Sequence, residues 1–276
     1  MIQRRAVVGI SLLSALLFCA LAAQSASAAK AVNTTAVTCV KVSGTGDFND
    51  EHCDSPNAEK KGNFTHEAVP LNETKKVDAT NQKVTNGTKD HEPVLLRGKI
   101  GLTKLEVSCT KFETDTSNSF VHNVETESKK HTMTGNGTAV ISECTVLQPA
   151  KCTIKQPIRP EATFFGVEGL GAGANEMGVE FVGSKAEETF AEITLEGAEC
   201  ASKGKTFKVK GSVIGTSGPT TESSQTNKYS GATIVFTPKK EMEKLKVGVE
   251  SAEVEVIVTP TGTGGGAHPI PITTTT

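Results

Sequence analysis

Tryptophan is absent from this 276-residue chain, and tyrosine occurs once. Eleven phenylalanines bring the aromatics to only 4%. Sugar-binding surfaces lean on stacking aromatic faces, so this scarcity weighs against a glycan site. Charge of one sign is also lacking, with 29 basic residues against 31 acidic ones. That balance excludes a polyelectrolyte and a dedicated nucleic-acid binder. The 26 glycines follow no period, which excludes collagen.

Catalytic signatures are missing as well. There is no G-x-S-x-G and no H-E-x-x-H. His52, His66, His91, His122, His131 and His268 are scattered through mostly polar stretches, and no nucleophile stands out beside them. Carboxylates are abundant, yet none is distinguished as a glycosidase pair. Close cysteine pairs of the kind zinc requires are absent too. The nearest two, Cys144 and Cys152, have seven residues between them, against two to four in typical sites.

What is present begins with an export signal. Arg4 and Arg5 precede an apolar run from Ala6 to Ala23, and Ala26-Ser27-Ala28 forms a small-x-small end, predicting cleavage before Ala29. The run is at the short end for a membrane anchor, and its small-residue end favours cleavage. Phe18 before Cys19 disfavours lipid attachment, which wants a small residue there. Removing residues 1–28 leaves 27 − 31 = −4 in formal charge and 7 − 1 = 6 cysteines. The expected location is secreted or associated with the cell envelope, with no stable membrane span after cleavage.

Six cysteines in an exported chain point to disulfides. They allow 15 connectivities. Cys39 and Cys53 flank the turn-rich Ser43-Gly44-Thr45-Gly46-Asp47. Cys109 and Cys144 each end an alternating segment. Cys152 opens one, and Cys200 closes another. Sequence-local pairing, 39–53, 109–144 and 152–200, is the first choice. Exchange among the last four is the main rival.

The remaining chain alternates on a period of two, the signature of strands. Phe207, Val209 and Val213 alternate with Lys208, Lys210 and Ser212, and Val254, Val256 and Val258 with Glu253 and Glu255. Thr38–Val42, Asn63–Val69, Val94–Ile100, Leu105–Cys109 and Thr138–Val146 are further strand candidates. So are Thr163–Glu168, Val179–Val182, Phe190–Leu195 and Thr233–Phe236. The expected fold is all-β, an antiparallel sandwich or barrel with a small N-terminal disulfide hairpin region. Ser184–Glu188 and Pro238–Leu245 read equally well as brief helices or charged turns. The division expected is a hairpin and polar segment over 29–92, with Asn72–Glu92 loosely ordered. A main β domain spans 93–260, and a disordered Thr/Gly/Pro tail spans 261–276.

The segment from Cys39 to Cys53, followed by Gly62-Asn63-Phe64, runs cysteine, short strand, glycine, Phe, acidic residue, cysteine, then glycine and an aromatic. It resembles a cysteine-bounded segment of uncharacterised exported actinobacterial β-rich proteins. The resemblance spans about 25 residues. It implies no activity, and no functional residue is carried over from it.

Two clusters suggest ligands. Asp47, Asn49 and Glu51 place oxygens at alternate positions, as calcium loops do, although His52 and Ala58 stand where an EF-hand needs Gly and Glu. Gly169-Leu170-Gly171-Ala172-Gly173 resembles a phosphate loop, but the strand at Val179–Val182 follows too soon for the helix that mechanism needs. N-x-Ser/Thr sequons occur at Asn33, Asn63, Asn72, Asn86 and Asn136. No cofactor and no nucleic-acid partner is expected; an envelope or extracellular partner is. The leading expectation is a non-enzymatic structural or interaction protein of the envelope or exterior, for which a filled core is expected. The alternative is a small-ligand or glycan module, for which a closed barrel with a deep polar-lined pocket is expected. The third is a hydrolase assembled from distant strands.

Overall fold

The structure is a computed structural model. It describes residues 34–51, 53, 55–71, 73–81, 85–86, 89–90, 94–100, 102–125, 131–168, 177–217, 221–222, 228–229, 234–236, 245–247, 249–262, 268–270 and 272–274. In chain order the strands are β1 (Thr34–Gly46), β2 (Gly62–Ala68), β3 (Lys75–Asn81), β4 (Thr85–Asn86), β5 (Lys89–Asp90), β6 (Val94–Ile100), β7 (Thr103–Thr114) and β8 (Phe120–Glu125). Then come β9 (His131–Gln148), β10 (Thr153–Ile154), β11 (Glu161–Glu168), β12 (Met177–Gly183), β13 (Thr189–Glu196), β14 (Thr206–Lys210) and β15 (Ser212–Ser217). The last are β16 (Thr221–Glu222), β17 (Lys228–Tyr229), β18 (Ile234–Phe236), β19 (Lys246–Val247), β20 (Glu250–Ser251), β21 (Glu253–Gly262), β22 (His268–Pro269) and β23 (Ile272–Thr274). One 3₁₀ turn, Ala186–Glu188, interrupts them.

The fold is all-β, and its largest sheet curls into a nearly closed antiparallel barrel. The circuit β18-β15-β12-β11-β9-β7-β6-β21 returns to β18 through antiparallel pairing of β21 with β18. It contains eight strands. At the other end of the long strands β9 and β21, β8 and β3 take the places of β7 and β6, so the count stays at eight. The narrowest seam is β18, held by two register pairs to β15 and three to β21. Two smaller sheets, β10-β13-β14-β19-β20 and β16-β17-β23-β1-β2, pack against the barrel.

Alternation explains why these residues form walls. On β21, Val256 and Val258 are buried while Glu253 is exposed. On β13, Ile193 and Leu195 are buried while Glu192 and Glu196 are exposed. The outer face carries charge across strands: Arg97 on β6 lies 3.3 Å from Glu106 on β7 and 3.4 Å from Glu255 on β21. Gly211 lies between β14 and β15 with φ 105, a conformation that disfavours other residues, where the chain leaves one sheet for the next.

Asn123 ties the first strand to the barrel. Its side chain is fully buried on β8 and behaves like a strand edge. Its Oδ1 accepts from the Ala36 amide at 2.8 Å. Its Nδ2 donates to the carbonyls of Ala36 and Val69 at 3.0 and 2.7 Å.

Three disulfides join Cys39 to Cys53, Cys109 to Cys144 and Cys152 to Cys200, the first-choice pairing. Cys109 and Cys144 occupy facing positions of β7 and β9. Bridges of this kind fit an oxidising compartment. Among the described residues, no helix is long and apolar enough to cross a membrane.

Three expectations differ from the structure. Residues Ala31–Thr276 form one compact unit, with no boundary at 92/93. The polar stretch Asn72–Glu92 contains β3, which pairs with β7, β8 and β21. Only Val77 and Ala79 mark its inner face, too short an alternation to read without the neighbouring strands. The tail expected to be disordered carries β22 and β23, which pair with β21 and β1, and Ile270 between them is buried. Within Ser184–Glu188, Ala186–Glu188 form a 3₁₀ turn and Lys185 bridges to Thr189. Most of Pro238–Leu245 lies outside the described residues.

Candidate ligand cavity

The described side chains do not fill the barrel. They line a partly open cavity of about 250 Å³. Eight strands make an interior just wide enough to be filled by side chains or to hold one small ligand. Here the inward side chains are mostly valine, alanine and glycine on the barrel strands, so space remains. β6 and β21 contribute Val94, Leu96, Val254, Val256 and Val258. Gly137 and Ala162, facing each other across β9 and β11, leave the wall thin at that point. Phe190, Ile193 and Val209 reach the cavity from the β13–β14 sheet, and Ile270 reaches it from the segment between β22 and β23.

The few aromatics are concentrated on this lining. Phe112, Phe164, Phe181, Phe190 and Phe236, five of the eleven phenylalanines, face the cavity. Phe181 bridges two of them, with ring centroids 5.3 Å from Phe164 and 5.4 Å from Phe236 in tilted contacts. Such geometry suits edge-to-face attraction. Sequence reasoning counted these rings but could not collect them. They come from β7, β11, β12, β13 and β18, spread over more than a hundred residues.

Among the described residues, the lining contains no Asp, Glu, Lys, Arg or His. The lining residues that carry hydroxyls are Thr114, Ser119, Thr138 and Ser217. Thr114 Oγ1 accepts from the Ala79 amide at 3.0 Å and donates to the Ala79 carbonyl at 2.9 Å. Ser119 Oγ accepts from the Thr138 amide at 3.1 Å and donates to its carbonyl at 3.4 Å. Ser217 Oγ donates to the Met177 carbonyl at 2.9 Å. These groups stitch strands together.

The calcium candidates lie elsewhere, in the loop after β1. Asp47 Oδ2 accepts from Thr65 Oγ1 at 3.3 Å, and its other oxygen lies 3.9 Å from Lys60 Nζ. Asn49 Oδ1 accepts from Asn57 Nδ2 at 2.7 Å. Glu51 is exposed. The oxygens of Asp47 and Asn49 thus face protein donors that brace the loop. Among the described residues, no three His, Cys, Asp or Glu side chains group so as to hold a metal.

Beside this loop, Phe48, Cys39 and Cys53 form a small second core, with Phe64 packed on it. His66 on β2 stacks near it, 4.6 Å from the Phe48 ring. Burial pushes the His66 imidazole down to about 4, against a weaker upward pull from Asp47.

The glycine-rich segment Gly169–Gly173 lies outside the described residues, as do His52, His91, Asn33 and Asn72. Of the other sequons, Asn63 is exposed on β2, and Asn86 lies on β4. Asn136 accepts from Thr163 at 3.0 Å on the outer face.

No protein-family model, no curated protein and no solved structure matches this chain.

Proposed function

We propose that this is an exported, non-enzymatic binding protein that carries one small apolar molecule inside its barrel, at the cell envelope or outside the cell. The cavity supports this reading. The wall of this space is apolar, and an occupant would remove that surface from water, which contributes about 25 cal/mol per Å² of apolar area buried. A smaller dry cavity, about 150 Å³, is already enough to bind benzene.

An unfilled interior moves the balance away from a purely structural module, for which a filled core is expected. An apolar lining moves it away from glycans, whose hydroxyls need partners. Among the described residues, the lining has no histidine or carboxylate to act as acid or base for hydrolysis. Export rests on the signal-like residues 1–28 and on the three disulfides.

The test is native mass spectrometry of the protein secreted by its own host, before and after organic-solvent extraction. We expect a mass excess that extraction removes, and a lower Tm for the stripped protein. No bound mass, together with a Tm that no added apolar compound raises, would overturn the proposal.

A further inference from the structure

We infer that the cavity selects an uncharged hydrocarbon or aromatic ligand and rejects the same skeleton once it carries a charge. This presupposes that the cavity binds a ligand at all. The inference starts from what a charged group would meet inside. Among the described residues, no ionisable side chain faces the cavity to neutralise it. The hydroxyls of Thr114, Ser119 and Ser217 already serve backbone groups of the wall. Thr138 lies one residue out of phase with Gly137 and Ala139, so strand alternation turns its side chain to the opposite face.

Backbone groups of the wall at Ala139, Ile141 and Ile158 are occupied as well. The amide of Ala139 donates to the Pro160 carbonyl at 2.9 Å, and Ile141 and Ile158 exchange two bonds of 2.9 Å each. A sulfonate, carboxylate or ammonium entering this space would leave water with nothing to replace it, and an unpaired charge is among the costliest groups to bury. A neutral ring system loses only water it binds poorly. It gains contact with Phe164, Phe181 and Phe236, whose tilted rings present both edges and faces.

The selection separates this ligand class from free fatty acids, bile-acid-like anions and amines, all of which pair an apolar body with a charge. A neutral terpenoid, a polycyclic aromatic or an uncharged lipid segment meets every condition the wall sets.

A matched pair of fluorescent probes tests it on the solvent-extracted, disulfide-intact protein. N-phenyl-1-naphthylamine is neutral, and 8-anilinonaphthalene-1-sulfonate adds one sulfonate to the same skeleton. We expect the neutral probe to saturate one site with a Kd at least about 100-fold lower than the sulfonate's. The Gly137→Leu variant, which places a side chain in the cavity, should abolish that site but leave any surface binding of the sulfonate. Equal or tighter binding of the sulfonate at the site removed by Gly137→Leu would overturn the ligand class alone. Absence of saturable binding by either probe would overturn cavity binding itself, and the ligand class with it.

Discussion

Replacing Gly137 with leucine should stabilise this protein while destroying its capacity to hold a ligand. Glycine inside a strand normally marks a close approach, and its neighbour Gly135 is such a case. A Cβ there would run into the Phe120 carbonyl and the Phe164 ring. Gly137 differs. A Cβ at this position would meet Phe164 at 3.7 Å and Ser119 Oγ at 3.9 Å, which is ordinary contact, and its backbone needs no positive φ. Beyond that Cβ lies the cavity. Burying a leucine side chain contributes about 1.5–3 kcal/mol. Removing glycine's freedom from the unfolded chain adds about 0.4–1 kcal/mol. Crowding of Phe164 offsets part of this, roughly 1 kcal/mol. A net gain of about 2 kcal/mol corresponds to a Tm rise of roughly 4–8 °C for a domain of this size. Calorimetry on extracted protein measures the shift, and titration with a neutral probe measures the binding. Gly135→Ala, a far smaller change two residues away, should lower Tm. A Tm that falls in Gly137→Leu, with probe binding unchanged, would show that the side chain does not enter the cavity and would refute the reasoning.

Three other outcomes follow from the packing. His66 has a folded-state pKa of about 4, below its ordinary 6.5. Both states are neutral above about 6.5, and only the unfolded chain takes up the proton between there and about 4. Stability is therefore full above about pH 6.5 and lost as pH falls through that window, by about 2 kcal/mol after allowing for partial exposure. Denaturant midpoints of His66→Gln should be flatter than those of the parent over that range, and parallel curves would contradict the burial argument. Asn123→Leu should cost about 2–4 kcal/mol by urea unfolding, because it strands the amide of Ala36 and the carbonyl of Val69, while the Ala36 carbonyl keeps only the Val69 amide; a loss below about 0.5 kcal/mol would mean that β1 is not held this way. Replacing both Cys39 and Cys53 by serine should cost about 3 kcal/mol, the loop-closure value for a loop of about 15 residues. Non-reducing peptide mapping should recover the two as one linked pair, and free thiols at both would refute the bridge.

The strands on either side of these sites show why some features were readable and others were not. Glu253-Val254-Glu255-Val256 and Phe207-Lys208-Val209-Lys210 declare a wet face and a dry face through local alternation alone. Cysteines at the ends of such segments suggested local bridges, and Cys109 faces Cys144 because β7 and β9 pair in register. Alternation misleads where it breaks. On β7 the cavity-lining positions pass from Val107 and Cys109 to Phe112 and Thr114, a change of phase opposite Glu143, whose φ is 55. It also falls silent where the apolar residues are few, as in β3, or widely separated, as in the tail. Ile272 finds Ala36 across almost the whole described chain.

Composition and period by themselves determined an all-β chain with paired cysteines and alternating inner and outer residues, because those properties follow from local backbone geometry and side-chain chemistry. Only the tertiary structure decided that the sheet closes as a barrel of eight strands and that its interior is left partly open. Closure depends on the short β18 meeting β21, and the open volume depends on which valines, glycines and phenylalanines end up facing one another. Those are sums over distant pairs. Five of the scarce aromatics, which in the sequence argued against ligand stacking, lie together on a surface where an apolar ligand would touch them.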